Sequence, residues 1–210
     1  MTTLQGTPHG SVYPPAPAVV PVQDARTAGL DGLREYLSLV EFQRKGGTAF
    51  RIPIEDIHPR QPDSVEDLVF PSLVFLPSRG AHDAIGNGAA TLLDESRDAH
   101  ERGKALVWFG EYVETITVEC WGSEAPMRVA LRSALLEALR PAQESQALRL
   151  RLDHWYGLVA DYLLTESESP DDPDVVRGRR RALIALVMRV PDVRLVPYAE
   201  LAPSGSGEVE

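Results

Sequence analysis

Apolar residues recur with a helical period in two segments of the chain. In the first segment the apolar positions lie three or four residues apart, and they are Leu30, Leu33, Leu37 and Val40. This spacing places them on one side of a helix, and the paired glycines at 46–47 are expected to end it.

The second helical segment lies between Gly122 and Pro141. Ser123 is the predicted N-cap and Pro126 falls in the first turn, where its missing N–H does no harm. The predicted inner face consists of Met127, Leu131, Ala134, Leu135 and Ala138, and we expect Arg128, Arg132 and Glu137 to face outward.

In other segments apolar and polar residues alternate with a period of two, which predicts strands. Residues 115–120 place Ile116, Val118 and Cys120 on one side. Residues 49–59 predict a half-buried strand that Pro53 pushes towards a sheet edge, and residues 67–78 predict a second short strand. Residues 147–164 predict one long strand with a bulge near 157, and 179–196 a second long strand, although a helix over 182–188 is an alternative.

This order of elements predicts an α+β fold. We expect a mixed, largely antiparallel sheet packed by two amphipathic helices, with a long C-terminal β-hairpin and extended terminal arms. The expected organisation is a proline-rich arm (1–28), a single domain (29–200) and a flexible tail (201–210). Within the domain, residues 79–106 are expected to be an insertion loop with one short helix.

Composition and charge narrow the function classes. The chain has 210 residues with 43% hydrophobic and 25% charged residues, which is ordinary for a globular protein. No apolar run is long enough to cross a bilayer and no secretory signal is evident, so we expect cytoplasmic synthesis and no membrane partner. The net charge of −10 argues against general nucleic-acid binding.

The sequence gives only weak indications of a catalytic or metal-binding site. Cys120, the single cysteine, is expected in the core, and Asp153 with His154 cannot form a relay if they alternate on a strand. In the charged run at 94–101, Asp94, Asp98 and Glu101 would share one helical face with His100 off it, but a solvated helix is the simpler interpretation. We therefore predict no enzyme, no cofactor and no metal, with a metal-dependent enzyme using the 94–101 carboxylates as an alternative.

A charge reversal near the C-terminus is the most distinctive local feature. Acidic residues precede arginines within a few positions; they are Glu166, Glu168, Asp171, Asp172 and Asp174, then Arg177, Arg179, Arg180 and Arg181. Three interpretations stay open: local pairing across a solvated hairpin, a complementary contact between subunits, or arginines facing DNA phosphates in a channel.

The combination of an N-terminal helix, "ETITVECW", the helix "EAPMRVALRSALLEAL" and the final hairpin resembles the tail terminator and tail-completion proteins of tailed bacteriophages. The resemblance covers residues 29–197. It implies a non-catalytic ring, usually a hexamer, that ends the tail tube, contacts tail tube and head connector proteins, and passes DNA only as cargo through its channel. Another neck, baseplate or adaptor component of a contractile particle is the alternative, and either places the protein in the virion.

Overall fold

The computed structural model of the chain describes residues 24–43, 47, 49–64, 68–84, 91–97, 103–140, 147–165, 172–176 and 179–197. Residues 1–23 of the arm expected at 1–28, and the whole tail expected at 201–210, lie outside these residues. The described residues belong to two compact units, a larger one with 24–83 and 111–191 and a smaller one with 84–110 and 192–197.

Both predicted helices are present, with shifted ends. Helix α1 spans Ala25–Ser38, so it starts inside the predicted arm and ends before the glycines. Asp24 caps it, because its carboxylate accepts a hydrogen bond of 2.7 Å from the Thr27 N–H. Helix α2 spans Ala125–Ala138, and its N-cap is Glu124 instead of the predicted Ser123.

The prediction of one strand over 49–59 is wrong. Strands β1 (Phe42–Gln43) and β2 (Ala49–Phe50) form a small antiparallel pair of their own, in which the two phenylalanine rings stack with centroids 5.6 Å apart. A 3₁₀ turn follows at Ile54–Asp56, capped by Pro53, and strand β3 is limited to Ile57–His58. Proline fixes the backbone before Ile54, and Ile54 is left 41% exposed.

The larger unit is built on a mixed, mostly antiparallel sheet, as predicted. Its remaining strands are β4 (Ser72–Pro77), β7 (Gly103–Gly122), β8 (Leu148–Leu152), β9 (Leu158–Thr165) and β11 (Arg179–Pro197), of which β7 and β11 also enter the smaller unit. The order is β3-β4-β7-β11-β9-β8. The β3–β4 pair is parallel, whereas β4–β7, β11–β9 and β8–β9 are antiparallel. The α+β class is confirmed.

The segment predicted as an insertion loop with a helix instead contains strands. Strand β5 (Ala81–Ala84) pairs with β7, and β6 (Thr91–Arg97) runs antiparallel to the first residues of β7. The register places Thr91 opposite Trp108 and Arg97 opposite Gly103. The charged composition of this segment suggested a helix, but pairing with a neighbouring strand overrides such local preferences.

The long strand predicted over 147–164 is two strands. β8 and β9 form a hairpin whose turn holds Tyr156 and Gly157 at positive φ, 55° and 65°. The alternation of apolar and polar residues resumes after the turn, so the sequence pattern did not indicate that the chain reverses direction here. A further strand, β10 (Asp172–Val176), pairs with the start of β11, so the predicted C-terminal hairpin β9–β11 exists with β10 added.

The core of the larger unit lies between the sheet and the helices. Every second residue of β11 from Ala182 to Val190 is buried, as are Leu33 and Leu37 of α1 and Leu131 of α2. One predicted orientation is wrong: Arg128 is only 2% exposed and donates to the Gly122 carbonyl at 3.3 Å. Arginine usually stays in water, and here a backbone acceptor at the start of the helix holds it inside.

Candidate subunit interface

The charged hairpin singled out in the sequence is described only in part. β10 and β11 lie side by side, with Asp172 opposite Arg181 and Val176 opposite Arg179 and an irregular register between them. Asp174 lies within β10 and Arg180 within β11. The hairpin thus brings acidic and basic positions of one chain onto neighbouring strands. The remaining residues of the prediction, Glu166, Glu168, Asp171 and Arg177, lie outside the described residues.

The carboxylates considered for a metal do not share a helix. Asp94 lies in strand β6, at the register position opposite Leu106, so the helical spacing expected over 94–101 is wrong. Asp98, His100 and Glu101 lie outside the described residues. Within the part of the chain that is described, no group of three or more His, Cys, Asp or Glu side chains is placed to hold a metal ion.

Cys120 is a core residue, as predicted. Its side chain is fully buried on β7, and this burial raises the pKa of the thiol to about 12, even though the nearby Arg132 guanidinium acts in the opposite direction. A thiol with such a pKa is almost entirely protonated at neutral pH, and the thiolate is the nucleophilic form.

Asp153 and His154 lie in the β8–β9 turn instead of on a strand, so the predicted reason for excluding a relay is wrong. The His154 Nε2 atom is 3.2 Å from the Ala28 carbonyl oxygen in α1. Asp153 instead forms an ion pair with Arg151, with 3.0 Å between its Oδ1 and the Arg151 Nε. The two side chains therefore have separate partners and do not form a relay.

One face of the sheet is covered by the helices. Gly29 of α1 lies directly against the Met188 and Val190 side chains, and its carbonyl accepts a 2.7 Å hydrogen bond from the Tyr162 hydroxyl. Helix α2 lies beside α1, since the Tyr36 hydroxyl donates to the Ala138 carbonyl at 2.8 Å. Because side chains alternate along a strand, the residues between these buried positions point to the opposite face.

That opposite face spans three adjacent strands, two of which carry arginines. We call it the arginine face, and it consists of Arg149 and Arg151 on β8, Val159 and Asp161 on β9, and Arg189 on β11. The register places Asp161 opposite both Arg149 and Arg189, so one acidic position lies between two basic ones. Among the described residues, no helix covers these side chains.

The side chains of the arginine face are largely in solvent. Arg149 and Asp161 form an ion pair of 3.2 Å, but their side chains are 64% and 45% exposed. Such a pair contributes only about 0–1 kcal/mol to stability. The pair therefore holds neither side chain firmly in place, and both groups are available for contacts with a partner.

An exposed aromatic residue lies at the end of the arginine face. Tyr156, in the β8–β9 turn, is 43% exposed, and Val159 is 37% exposed. The Arg151 guanidinium lies over Gly157 in the same turn. Tyrosine and arginine are the residues that most often dominate binding energy at protein interfaces, and lysine is depleted there. The face therefore has the composition of a protein-binding surface.

Sequence reasoning did not assign this surface. It identified the alternation of Leu148, Leu150 and Leu152 with Arg149 and Arg151, but the turn after β8 determines which strands these arginines adjoin. The sequence feature that could have indicated this surface is the pair Arg149 and Arg151 on one side of a short strand, followed by a turn that contains aromatic residues.

The rest of this side of the sheet is covered by the chain itself. Leu68, Val74 and Trp121 form a buried cluster, with Phe70 and Leu76 packed against it. The indole N–H of Trp121 donates to the Glu119 carboxylate at 2.8 Å. Val74 and Trp121 of this cluster lie on β4 and β7, whereas the arginine face lies on β8, β9 and β11.

No protein-family model matches the chain, and no curated protein matches its sequence significantly. None of the helices in the described ranges is long and apolar enough for a membrane span.

Proposed function

We propose that this chain is a structural protein of a phage-like particle, forming a ring that terminates the tail tube and joins it to the head connector. The observation that supports this best is the arginine face, an exposed surface with the composition of a protein interface on the sheet that the long β9–β11 hairpin helps to build. The α+β arrangement of sheet, helices and hairpin is the one that the resemblance to tail terminators implies.

A cyclic ring needs two different complementary patches on each subunit, because each copy contacts the next one head to tail. The arginine face supplies one patch. The charged residues after β9, from Glu166 to Asp174, supply an opposite charge elsewhere in the sequence. In this proposal the subunits number six, DNA passes only through the channel, and the proteins contacted at either side are those of the tail tube and the head connector.

The proposed role involves no catalytic step and no cofactor. The metal-dependent alternative is not supported, because Asp94 lies in a strand rather than on the helix that would align it with Asp98 and Glu101. A position elsewhere in the particle, in the neck, baseplate or an adaptor, remains the alternative within the same structural class. Cross-linking to particle components would distinguish these positions.

Electron microscopy of the purified full-length protein at increasing concentration tests the proposal. The expected result is closed rings with a central channel and a uniform number of subunits. Particles of single-subunit size at every concentration would contradict it. Rings that retain DNA only at low salt would indicate a nucleic-acid adaptor instead, since phosphate contacts weaken steeply with salt.

A further inference from the structure

The positions of charge along β9 and β11 limit which acidic groups can contact the arginine face. In one copy, the acidic segment (residues 166–174) begins immediately after β9 ends at Thr165. Asp161 lies four residues before that end, which is about 13 Å along an extended strand. From Asp161 the arginine face extends towards Val159 and the β8–β9 turn, which is the start of β9. The acidic segment follows the opposite end of β9 in the sequence.

The pairing of β10 increases this separation. Asp172 lies opposite Arg181 of β11, eight residues before Arg189 on the same strand. Eight residues of strand span about 26 Å. The backbone at Asp172 is therefore far from Arg189 of its own chain, and a contact between this part of the acidic segment and the arginine face requires a second copy.

We propose that the acidic segment of one copy binds the arginine face of the next copy. This rests on the proposed function, which requires a head-to-tail contact between two different patches. The charges are complementary, because the segment carries five carboxylates within nine residues and the face carries Arg149, Arg151 and Arg189. Arginine forms planar, two-pronged hydrogen bonds with carboxylates and is suited to such an interface.

The central Asp161 favours a protein partner over DNA. A phosphate backbone presents uniform negative charge, and a carboxylate between two arginines would repel it. A protein segment can instead place a neutral or donor group opposite Asp161 and its acids opposite the arginines. Tyr156 and Val159 supply the apolar contact at the turn end.

Charge exchange between two variants tests this contact. In the first variant, Arg149→Glu and Arg189→Glu reverse the face; in the second, Asp171→Lys, Asp172→Lys and Asp174→Lys reverse the segment. Each variant alone is expected to assemble at least about tenfold more weakly than the wild type, because like charges meet at every contact. An equimolar mixture is expected to assemble again, since each variant then meets a complementary neighbour.

The control variant combines Arg51→Glu with Arg140→Glu, two exposed arginines away from the face that form only exposed ion pairs. It carries the same number of Arg→Glu substitutions as the face variant, so it changes the net charge by the same amount as that variant, and it is expected to assemble like the wild type. Thermal melting verifies that all variants fold. Tyr156→Asn is a further test, because asparagine tolerates the positive φ of this position while removing the exposed ring.

The outcomes separate the two proposals. Wild-type rings that persist in both charge-reversed variants would overturn this contact and leave the ring proposal intact. Loss of assembly in both variants without recovery in the mixture would also overturn it, because the two patches would then not contact each other. A wild type that never assembles would overturn the proposed function itself.

Discussion

The close approach of helix α1 to the sheet depends on Gly32. A Cβ atom added to Gly32 would lie 2.2 Å from the Leu152 Cδ2 atom on β8, far inside van der Waals contact. Leu152 is 1% exposed, and protein interiors are close-packed, so its side chain has little room to move away from an added methyl group. We therefore predict that Gly32→Ala destabilises the protein even though it removes a glycine from a helix.

Two opposing contributions determine the size of this effect. Alanine favours the helix over glycine by about 1 kcal/mol. Forcing an extra methyl group into a packed core costs about 1–3 kcal/mol. The steric cost exceeds the helical gain, so the expected net loss in the free energy of unfolding is about 1 kcal/mol, measured by urea denaturation followed by tryptophan fluorescence.

A double-mutant cycle with Leu152→Ala identifies the cause. Leu152→Ala alone is expected to cost about 2–5 kcal/mol, because it empties a buried site. In that background Gly32→Ala meets no obstacle, and the same substitution should then stabilise the protein by up to about 1 kcal/mol. If Gly32→Ala has the same effect in both backgrounds, the proposed contact between α1 and β8 is wrong. Ser133→Ala, at an exposed position of α2, is the control for a change in helix propensity alone.

Three further predictions concern single side chains. The Cys120 thiol, whose pKa burial raises to about 12, should not react with a disulfide reagent at pH 8 until denaturant is added; rapid reaction of the native protein would contradict its burial. Arg26→Ala should cost about 1–3 kcal/mol of stability, because it removes the 3.0 Å partner of the fully buried Glu114 carboxylate. Adding Glu114→Gln to this variant should recover part of the loss, measured by thermal melting. An unchanged loss in the double variant would show that Arg26 acts by packing alone. Tyr156→Gly should leave the melting temperature within a few degrees of the wild type, since glycine accepts positive φ freely; a large drop would show that the ring is structurally needed.

Much of the fold follows from local patterns because burial and periodicity agree there. The alternation of β11 predicted its strand, and the buried positions from Ala182 to Val190 match it. The same holds for Ile116, Val118 and Cys120 on β7. In both strands one face is more deeply buried than the other, so apolar and polar residues alternate along the sequence.

The misassigned segments are those in which tertiary contacts override the local pattern. A turn with Tyr156 at positive φ interrupts an alternation that otherwise continues from β8 into β9. Arg128 lies inside because a carbonyl oxygen at Gly122 accepts its hydrogen bond, which no periodicity indicates. Strand β6 exists because β7 extends far enough to pair with it, despite a sequence rich in charge.

The candidate interface was predictable only in its charges. The acidic and arginine positions around the last hairpin are visible in the sequence, but the arginine face joins three strands that are separated along the chain. Its position depends on the β8–β9 turn and on the register of Asp161 with Arg189, and a single sequence specifies neither.

The absolute mass of the purified full-length protein tests the central claim most directly. Light scattering at two concentrations and at low and moderate salt measures it without assuming a shape. The ring proposal predicts a discrete assembly, six times the mass of the chain, that weakens as salt rises because charged patches join its subunits. A mass equal to one chain under all four conditions would contradict it.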